Sequence, residues 1–460
     1  MLAIGRAWGH GRHLYSDLFI DRPQLLLATY RFVEALTGAS TFAVRAMAAV
    51  FGALAVVSCA EIARRLVSPS AGIAAALIVA VTSSAPAIDG FAANGELLSG
   101  SLSSAAIAAA AMVITGRLRD RWLVGAGVLA GCALAMKQSG FDGAVTVAAW
   151  LALTVVLGIG GRRRAFLRLL AFVTGVATVA GAIMVHAALT GWGDWWYAIY
   201  THPLETRDVR LSWPRFFRTW DDARPILIPV VIAGVAAGLI GVAQRRSAST
   251  WSFRIEVTIL PIWLVVATAS FVSGGQFYHH YWLILTLPLA TLVGAIVGSL
   301  RARIVVVALT VGAVLPALWS TAGFLTLPRS EIPLAIDAGE SSSREEEIVQ
   351  WFRDSRREED SLYVLCSAPS IYALAHVDPP FPTLWFYATN YVRGAQENLR
   401  TMLSSDGRPT FVIEMQQPAS CGLRGNDEDL LIDYYDEFTT IRGKTIYIRA
   451  DDDRAATAAG

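Results

Sequence analysis

Residues 162–196 read RRRAFLRLLAFVTGVATVAGAIMVHAALTGWGDWW. Arginines open the stretch, an apolar run follows, and tryptophans with one aspartate close it. A helix needs about 20 apolar residues to cross a bilayer core, and arginine-rich flanks mark the cytoplasmic side. The pattern therefore reads as a span leaving the cytoplasm near Arg162 and reaching the outer interface near Trp192. It repeats in both directions. Apolar stretches lie near 43–63, 71–89, 97–116, 122–138, 141–160, 165–189, 225–243, 256–273, 281–299 and 304–323. Every second gap carries arginines: Arg64/Arg65, Arg117/Arg119/Arg121, Arg162/Arg163/Arg164/Arg168, Arg245/Arg246/Arg254 and Arg301/Arg303. The alternate gaps hold acids, histidines, aromatics and Lys137, so by the positive-inside rule they face outward.

Composition agrees. The 460-residue chain has 54% hydrophobic and 16% charged residues and a mean hydropathy of +0.48, which fits a polytopic α-helical membrane protein. A formal charge of +1 gives no field that would attract nucleic acid. Small-residue faces such as Ser99–Ser104 and Gly125–Gly127 suit close helix packing in lipid. The loop from Gly191 to Arg224, rich in tryptophan and tyrosine, suits the membrane interface.

Five units are expected: an outer-face N-terminal loop with an amphipathic helix (1–39), a transmembrane domain of about ten spans (40–324), a linker (325–340), a small extracytoplasmic α/β domain (341–450) and a disordered tail (451–460). In the α/β domain, Ser342–Arg357 reads as a helix and Ser361–Cys366, Pro409–Glu414 and Lys444–Arg449 read as strands. Cys59 and Cys132 fall inside spans; Cys366 and Cys421 are the pair able to meet in an oxidising compartment. The alternation puts residues 1–39 outside with no span before them. The expectation is a first helix further upstream, or else a short translocated tail.

The outward gaps hold the groups able to do acid, base or anion chemistry. Asp17, Asp21 and Arg22 precede the helix beginning at Gln24; Asp21 could cap that helix, with Pro23 in its first turn. Asp89, Glu96, Lys137, Asp142, His186, His279 and His280 follow. Charges beside spans cost about 2.5–3.5 kcal/mol on insertion scales, which makes Lys137 a functional candidate.

Several of these stretches resemble, in order, the polyprenyl-phosphate-sugar-dependent GT-C glycosyltransferases, in the branch of protein O-mannosyltransferases, aminoarabinose transferases and Rhizobium lipopolysaccharide transferases. They are residues 11–23 (GRHLYSDLFIDRP), Ala43–Ala46, Ala93–Glu96, Gly131–Gln138 and Gly274–Tyr281 with Pro288. Gln24 departs from the family's second proline, and the family's first helix with its loop acid is not in this sequence. The resemblance implies a GT-C fold and inverting transfer of a sugar from a polyprenyl-phosphate donor to a cell-envelope glycan, lipid or protein, on the outer face of the plasma (inner) membrane. Asp17 or Asp21 would be the base, and Arg22, Lys137 and His280 would hold the donor phosphate. Glu96, His279 and Tyr281 would contact substrate. The resemblance fixes no cofactor; a divalent ion on Asp21, Glu96 and His280 stays open, since their spacing is not diagnostic. The rival readings are a lipid or glycan flippase and a non-catalytic scaffold. Outward-end charges and the absence of an internal repeat favour the transferase over the flippase.

Overall fold

The computed structural model describes residues 1–246, 255–328, 331, 342–415, 417 and 429–455. Two helices open the chain, α1 (Leu2–Gly9) and α2 (Gln24–Thr37). The amphipathic helix expected after Pro23 is α2. Pro23 stands at its cap position, before the first turn, and no side chain caps the helix; Asp21 instead pairs with Arg22.

All ten expected apolar stretches are helical: α3 (Thr41–Leu66), α4 (Pro69–Ser83), α5 (Gly95–Ile114), α6 (Trp122–Met136), α7 (Asp142–Val156) and α8 (Arg162–Thr190), then, after short helices α9 (Trp192–Trp196), α10 (His202–Glu205) and α11 (Arg207–Arg210), α12 (Trp213–Arg246), α13 (Ile259–Gly274), α14 (Trp282–Val297) and α15 (Arg303–Leu325). Among the described residues seven of these helices are long and apolar enough to cross a membrane, while α4, α6 and α7 are shorter. At 15 residues each, the short three span about 22 Å.

Glycine decides the tightest packing. A Cβ at Gly127 of α6 would lie 2.0 Å from the Phe172 carbonyl oxygen of α8, and one at Gly175 of α8 would lie 2.1 Å from the Val124 carbonyl oxygen. Backbone contact of this kind supplies helix association where lipid removes the hydrophobic drive. Gly175→Leu is expected to destabilise the bundle by about 3 kcal/mol, because α6 and α8 must separate. Thermal denaturation in detergent would measure it; Gly181→Leu on the same helix, where an added Cβ meets nothing within 4 Å, is the matched control.

The arginine-marked gaps lie at one end of the bundle. Asp120 accepts from Arg164 and Arg168 there, and Glu61 pairs with Arg64 and Arg65. At the other end α5 starts at Gly95, capped by Asn94 Oδ1 accepting from Leu97 N–H at 2.8 Å, and α6 stops at Lys137.

The C-terminal region contains α16 (Ser342–Ser355), β1 (Leu362–Val364), α17 (Ser370–Ala375), α18 (Phe386–Tyr391), α19 (Ala395–Ser404), β2 (Phe411–Ile413), α20 (Asp429–Tyr434), β3 (Tyr435–Ile441) and β4 (Lys444–Arg449). The sheet order is β1-β2-β4-β3; β1 and β2 are parallel and the remaining pairs antiparallel. Strand β3 was not among the strands read from the sequence. Its side chains alternate polar and apolar weakly, and its pairing comes from the turn at Arg442 and Gly443, both at positive φ, which suits a two-residue hairpin. Cys366 is disulfide-bonded, and Cys421 lies outside the described residues.

Residues 451–455, read from the sequence as the start of a disordered tail, are tied to the domain. Arg454 makes two bonds of 2.8 Å to the buried Asp360 and pairs with Asp452. Residues 456–460, and most of the 325–340 linker, lie outside the described residues. Arg454→Ala is expected to loosen β1 by about 3 kcal/mol by stranding a buried carboxylate, seen as faster hydrogen exchange at Leu362–Val364. Arg454 holds the Asp452 carboxyl below its ordinary range. That contribution is present above the ordinary carboxylate pKa and is lost as pH falls through the lowered value, so the two proteins converge in acid.

One hydrophobic core joins α1, the loop after it and the short helices after α8 to this domain: Ile4, Leu18, Phe19, Trp195, Ile199 and Leu384 are all buried in it. Phe19 N–H donates to the Pro382 carbonyl at 3.0 Å, and Arg12 to the Pro379 carbonyl at 3.1 Å. The domain therefore sits over the end of the bundle opposite the arginines.

Candidate functional site

The polar residues of this end converge at the junction of five segments. Glu96, in the first turn of α5, forms an ion pair with Lys137, the residue that ends α6. Both are buried, with 4% and 7% of their side chains exposed. Two charges are held out of water only where each finds a partner. Lys137 Nζ also stands 3.7 Å from the centre of the Tyr281 ring, a cation–π contact. His280 faces Glu96 Oε1 at 3.6 Å through Nε2 and Asp89 Oδ2 at 3.5 Å through Nδ1. A chain of charged and polar groups thus runs Lys137, Glu96, His280, Asp89.

The loop before α2 closes the site from above. Gln138 donates to the Asp21 carbonyl at 2.7 Å, Tyr15 O–H to the Arg22 carbonyl at 3.1 Å, and Arg22 Nη1 to Asp21 Oδ1 at 2.9 Å. Asp21 holds the Arg22 guanidinium in its charged form. Arg22 and Lys137 line one cavity of about 290 Å³, together with Gln138, Tyr281 and Gln276. Its walls supply two cationic donors and aromatic surface. A second cavity, of about 1460 Å³, is lined in part by Arg45, Asp89, Asn94, Tyr278, His279 and His280. Tyr278 stacks on His280 at 5.6 Å with 12° between the planes.

Of the residues read from the sequence, Asp21, Arg22, Glu96, Lys137, His280 and Tyr281 come together. Asp17 does not. Its carboxylate accepts from the His13 backbone N–H at 2.8 Å and pairs with the His13 ring at 3.1 Å, and it is 39% exposed. The His13 N–H bond is the first cause holding that carboxyl below the usual range. His279 turns away to Asp222 at 3.0 Å and lines only the larger cavity. Arg22 and Lys137 share a cavity as expected of a phosphate pair, whereas His280 lines the larger one. Among the described residues no three His, Cys, Asp or Glu side chains gather into a metal-holding group.

Asp142, the second buried acid of the helical bundle, accepts from Ser103 Oγ at 2.8 Å and Trp263 Nε1 at 2.9 Å and ties α5, α7 and α13 together. Asp89, Asn94 and Gln138 were not assigned roles from the sequence. Gln138 was legible as the neighbour of Lys137; Asp89 and Asn94 flank a turn, and only its closure brings them to His280.

Apolar helices, a cation-lined cavity at one end of them and an α/β domain over that end define a polytopic membrane protein with the GT-C glycosyltransferase fold. Within it, residues 21–189 match the family described as dolichyl-phosphate-mannose-protein mannosyltransferase, and the resemblance drawn from the motifs holds. Among solved structures, the fold is similar to ArnT from Cupriavidus metallidurans bound to undecaprenyl phosphate, with a TM-score of 0.64 at 15% identity over 99% of this chain and 93% of that one. It is also similar to the oligosaccharyltransferase AglB from Archaeoglobus fulgidus in complex with an inhibitory peptide and a dolichol-phosphate, with a TM-score of 0.54 at 13% identity over 98% of this chain and 70% of that one. At such identities the likeness is one of fold. No curated protein matches the chain by sequence.

Proposed function

We propose that this protein is an integral membrane glycosyltransferase that moves a sugar from a polyprenyl-phosphate donor to a cell-envelope acceptor, with inversion at the anomeric carbon, on the extracytoplasmic face of the plasma (inner) membrane. The observation that carries the reading is the pairing of Arg22 and Lys137 in one small cavity at the end of the bundle. A polyprenyl phosphate has a lipid tail that stays in the bilayer and an anionic head that must meet fixed cations at its boundary. Polyprenyl- and dolichol-phosphate occupy the two similar structures named above, which supports the same class of donor here.

The chemistry follows from the charges. As the bond from the anomeric carbon to the phosphate oxygen breaks, the sugar gains oxocarbenium character and negative charge grows on the leaving phosphate. Arg22 and Lys137 offer cationic donors to that charge, and donors fixed before the reaction cost no reorganisation during it. The acceptor hydroxyl attacks the opposite face, forms the new carbon–oxygen bond and gives its proton to Asp21, whose carboxylate is steered by Arg22. The C-terminal domain covers this face and excludes water that would otherwise hydrolyse the donor.

The test is transfer from a radiolabelled polyprenyl-phosphate sugar in proteoliposomes. Asp21→Asn should lower turnover by about 10²–10⁴-fold, the range for losing a general base. Asp17→Asn, at an exposed loop position away from the cluster, should stay within about twofold. Full activity in Asp21→Asn would remove the base assignment, and no transfer by the native protein from any polyprenyl-phosphate sugar would remove the function.

A further inference from the structure

The turn that carries His280 and Tyr281 into the site is held from outside, residue by residue, by the start of α12. Ser212 N–H donates to the Gly275 carbonyl at 3.0 Å, Arg215 Nη1 to the Gln276 carbonyl at 3.0 Å and Thr219 O–H to the Phe277 carbonyl at 3.1 Å. The Arg215 guanidinium stands 4.4 Å from the centre of the Tyr278 ring, a cation–π contact, and Asp222 faces His279 at 3.0 Å. The spacing of Arg215, Thr219 and Asp222 puts them on one face of the helix. Each residue from Gly275 to His279 is thus gripped by that face or by Ser212 just before it.

Unaided, the turn would not keep this shape. Gly275 ends α13 in the left-handed region at φ +68°, which glycine takes freely. Phe277 takes φ +47° with a full side chain, a conformation that persists only where the surroundings over-determine it. Its ring is fully buried, 5.3 Å from the rings of Phe216 and Phe271, and the Thr219 hydroxyl fixes its carbonyl. Thr219 Oγ1 also accepts from Trp282 Nε1 at 3.1 Å, so one buried hydroxyl ties the turn to the first residue of α14.

The gripped turn forms part of the small cavity. Gly274, Gln276 and Tyr281 line it beside Arg22 and Lys137; neither Arg215 nor Thr219 does. A Cβ at Gly274 would lie 2.6 Å from Tyr281 Cε2, so the Tyr281 ring rests against that glycine while it meets the Lys137 ammonium at 3.7 Å. Tyr278, next to the Arg215 guanidinium, touches the Tyr281 ring edge to face at 6.0 Å. We propose that Arg215 and Thr219 are positioning residues for sugar transfer: they set the backbone at Gln276 and Phe277, through it the Tyr281 ring, and through that ring the place of the Lys137 ammonium in the cavity. That the ammonium then meets a donor phosphate rests on the transferase reading above; its placement by α12 does not.

Lysine occurs in this chain only at Lys137 and Lys444, which makes the protection of the buried ammonium directly measurable. The full chain in phosphatidylcholine nanodiscs, whose lipid carries no free amine, is treated with an acetylating reagent, and the rate at Lys137 is read by mass spectrometry against Lys444. Arg215→Gln and Thr219→Val are each expected to raise the Lys137 rate about tenfold relative to Lys444, the scale of one hydrogen bond lost from a local opening equilibrium. Thr219→Ser, which keeps the hydroxyl, should retain native protection, as should Arg218→Gln at an exposed position on the same helix. Sugar transfer should fall about tenfold in Arg215→Gln, but by no more than about twofold when Lys137 is already methionine, because groups that act through one another are not additive. Unchanged protection in either variant, equal gains at Lys137 and Lys444, lost protection in Thr219→Ser, or full additivity with Lys137→Met would each overturn the proposal. Protection that depends on Arg215 in a native protein that transfers no sugar would sink the transferase reading and leave the placement of Lys137 by α12 standing.

Discussion

Lys137→Met is expected to lower sugar transfer by about 10²–10³-fold, the cost of removing one charged donor aimed at a developing anion, while the protein still inserts and folds. The ammonium is buried against Glu96 and the Tyr281 ring, so it is fixed before any donor arrives. Methionine keeps the length and most of the apolar stem and deletes only the charge. If Lys137 holds the phosphate in the ground state as well as in the transition state, KM for the donor rises along with the fall in kcat. Steady-state kinetics on a polyprenyl-phosphate sugar separates the two. Unchanged kcat/KM would mean that the Glu96–Lys137 bridge is architecture alone.

Glu96→Leu should be the most destabilising single change at this end of the bundle, by about 3–5 kcal/mol, because it strands a buried lysine with no carboxylate partner. Thermal denaturation in detergent measures it. The double variant Glu96→Leu/Lys137→Met removes both charges together and should regain most of the lost stability, since apolar replacements for a buried pair are close to neutral. Its transfer activity should remain as low as that of Lys137→Met. Recovery of activity along with stability would show that neither charge serves the chemistry; failure to recover stability would show that Glu96 is held mainly by His280, 3.6 Å away.

The same cluster shows how far the sequence could be read. Arg22, Glu96, Lys137 and His280 stood out as ionisable groups in the outward gaps, Lys137 above all because a charge beside a span is costly and that cost is visible without coordinates; Tyr281 came only from the resemblance. The glycine face of α6 was legible for a similar reason: only close packing explains Gly125–Gly127 in an apolar run, and Gly127 does meet α8 backbone to backbone. Where Asp17 would go was not legible, because the turn from His13 to Asp17 closes on itself by local hydrogen bonds. Strand β3 was missed because its residues alternate too weakly to announce a strand; pairing with β4 supplies what local preference does not.

By itself the sequence determined that this chain lives in a membrane, where its apolar helices fall along the chain, and which gaps between them carry arginine, because insertion depends on hydropathy and flanking charge summed over about 20 residues. Only the tertiary structure decided that Arg22 and Lys137 share a cavity while His280 lines a different one, and that Asp21 pairs with Arg22 while Asp17 turns to His13. Those outcomes depend on contacts between residues as far apart as Glu96 and His280, whose separation is set by helix packing and loop closure, and no local pattern in the chain encodes that distance.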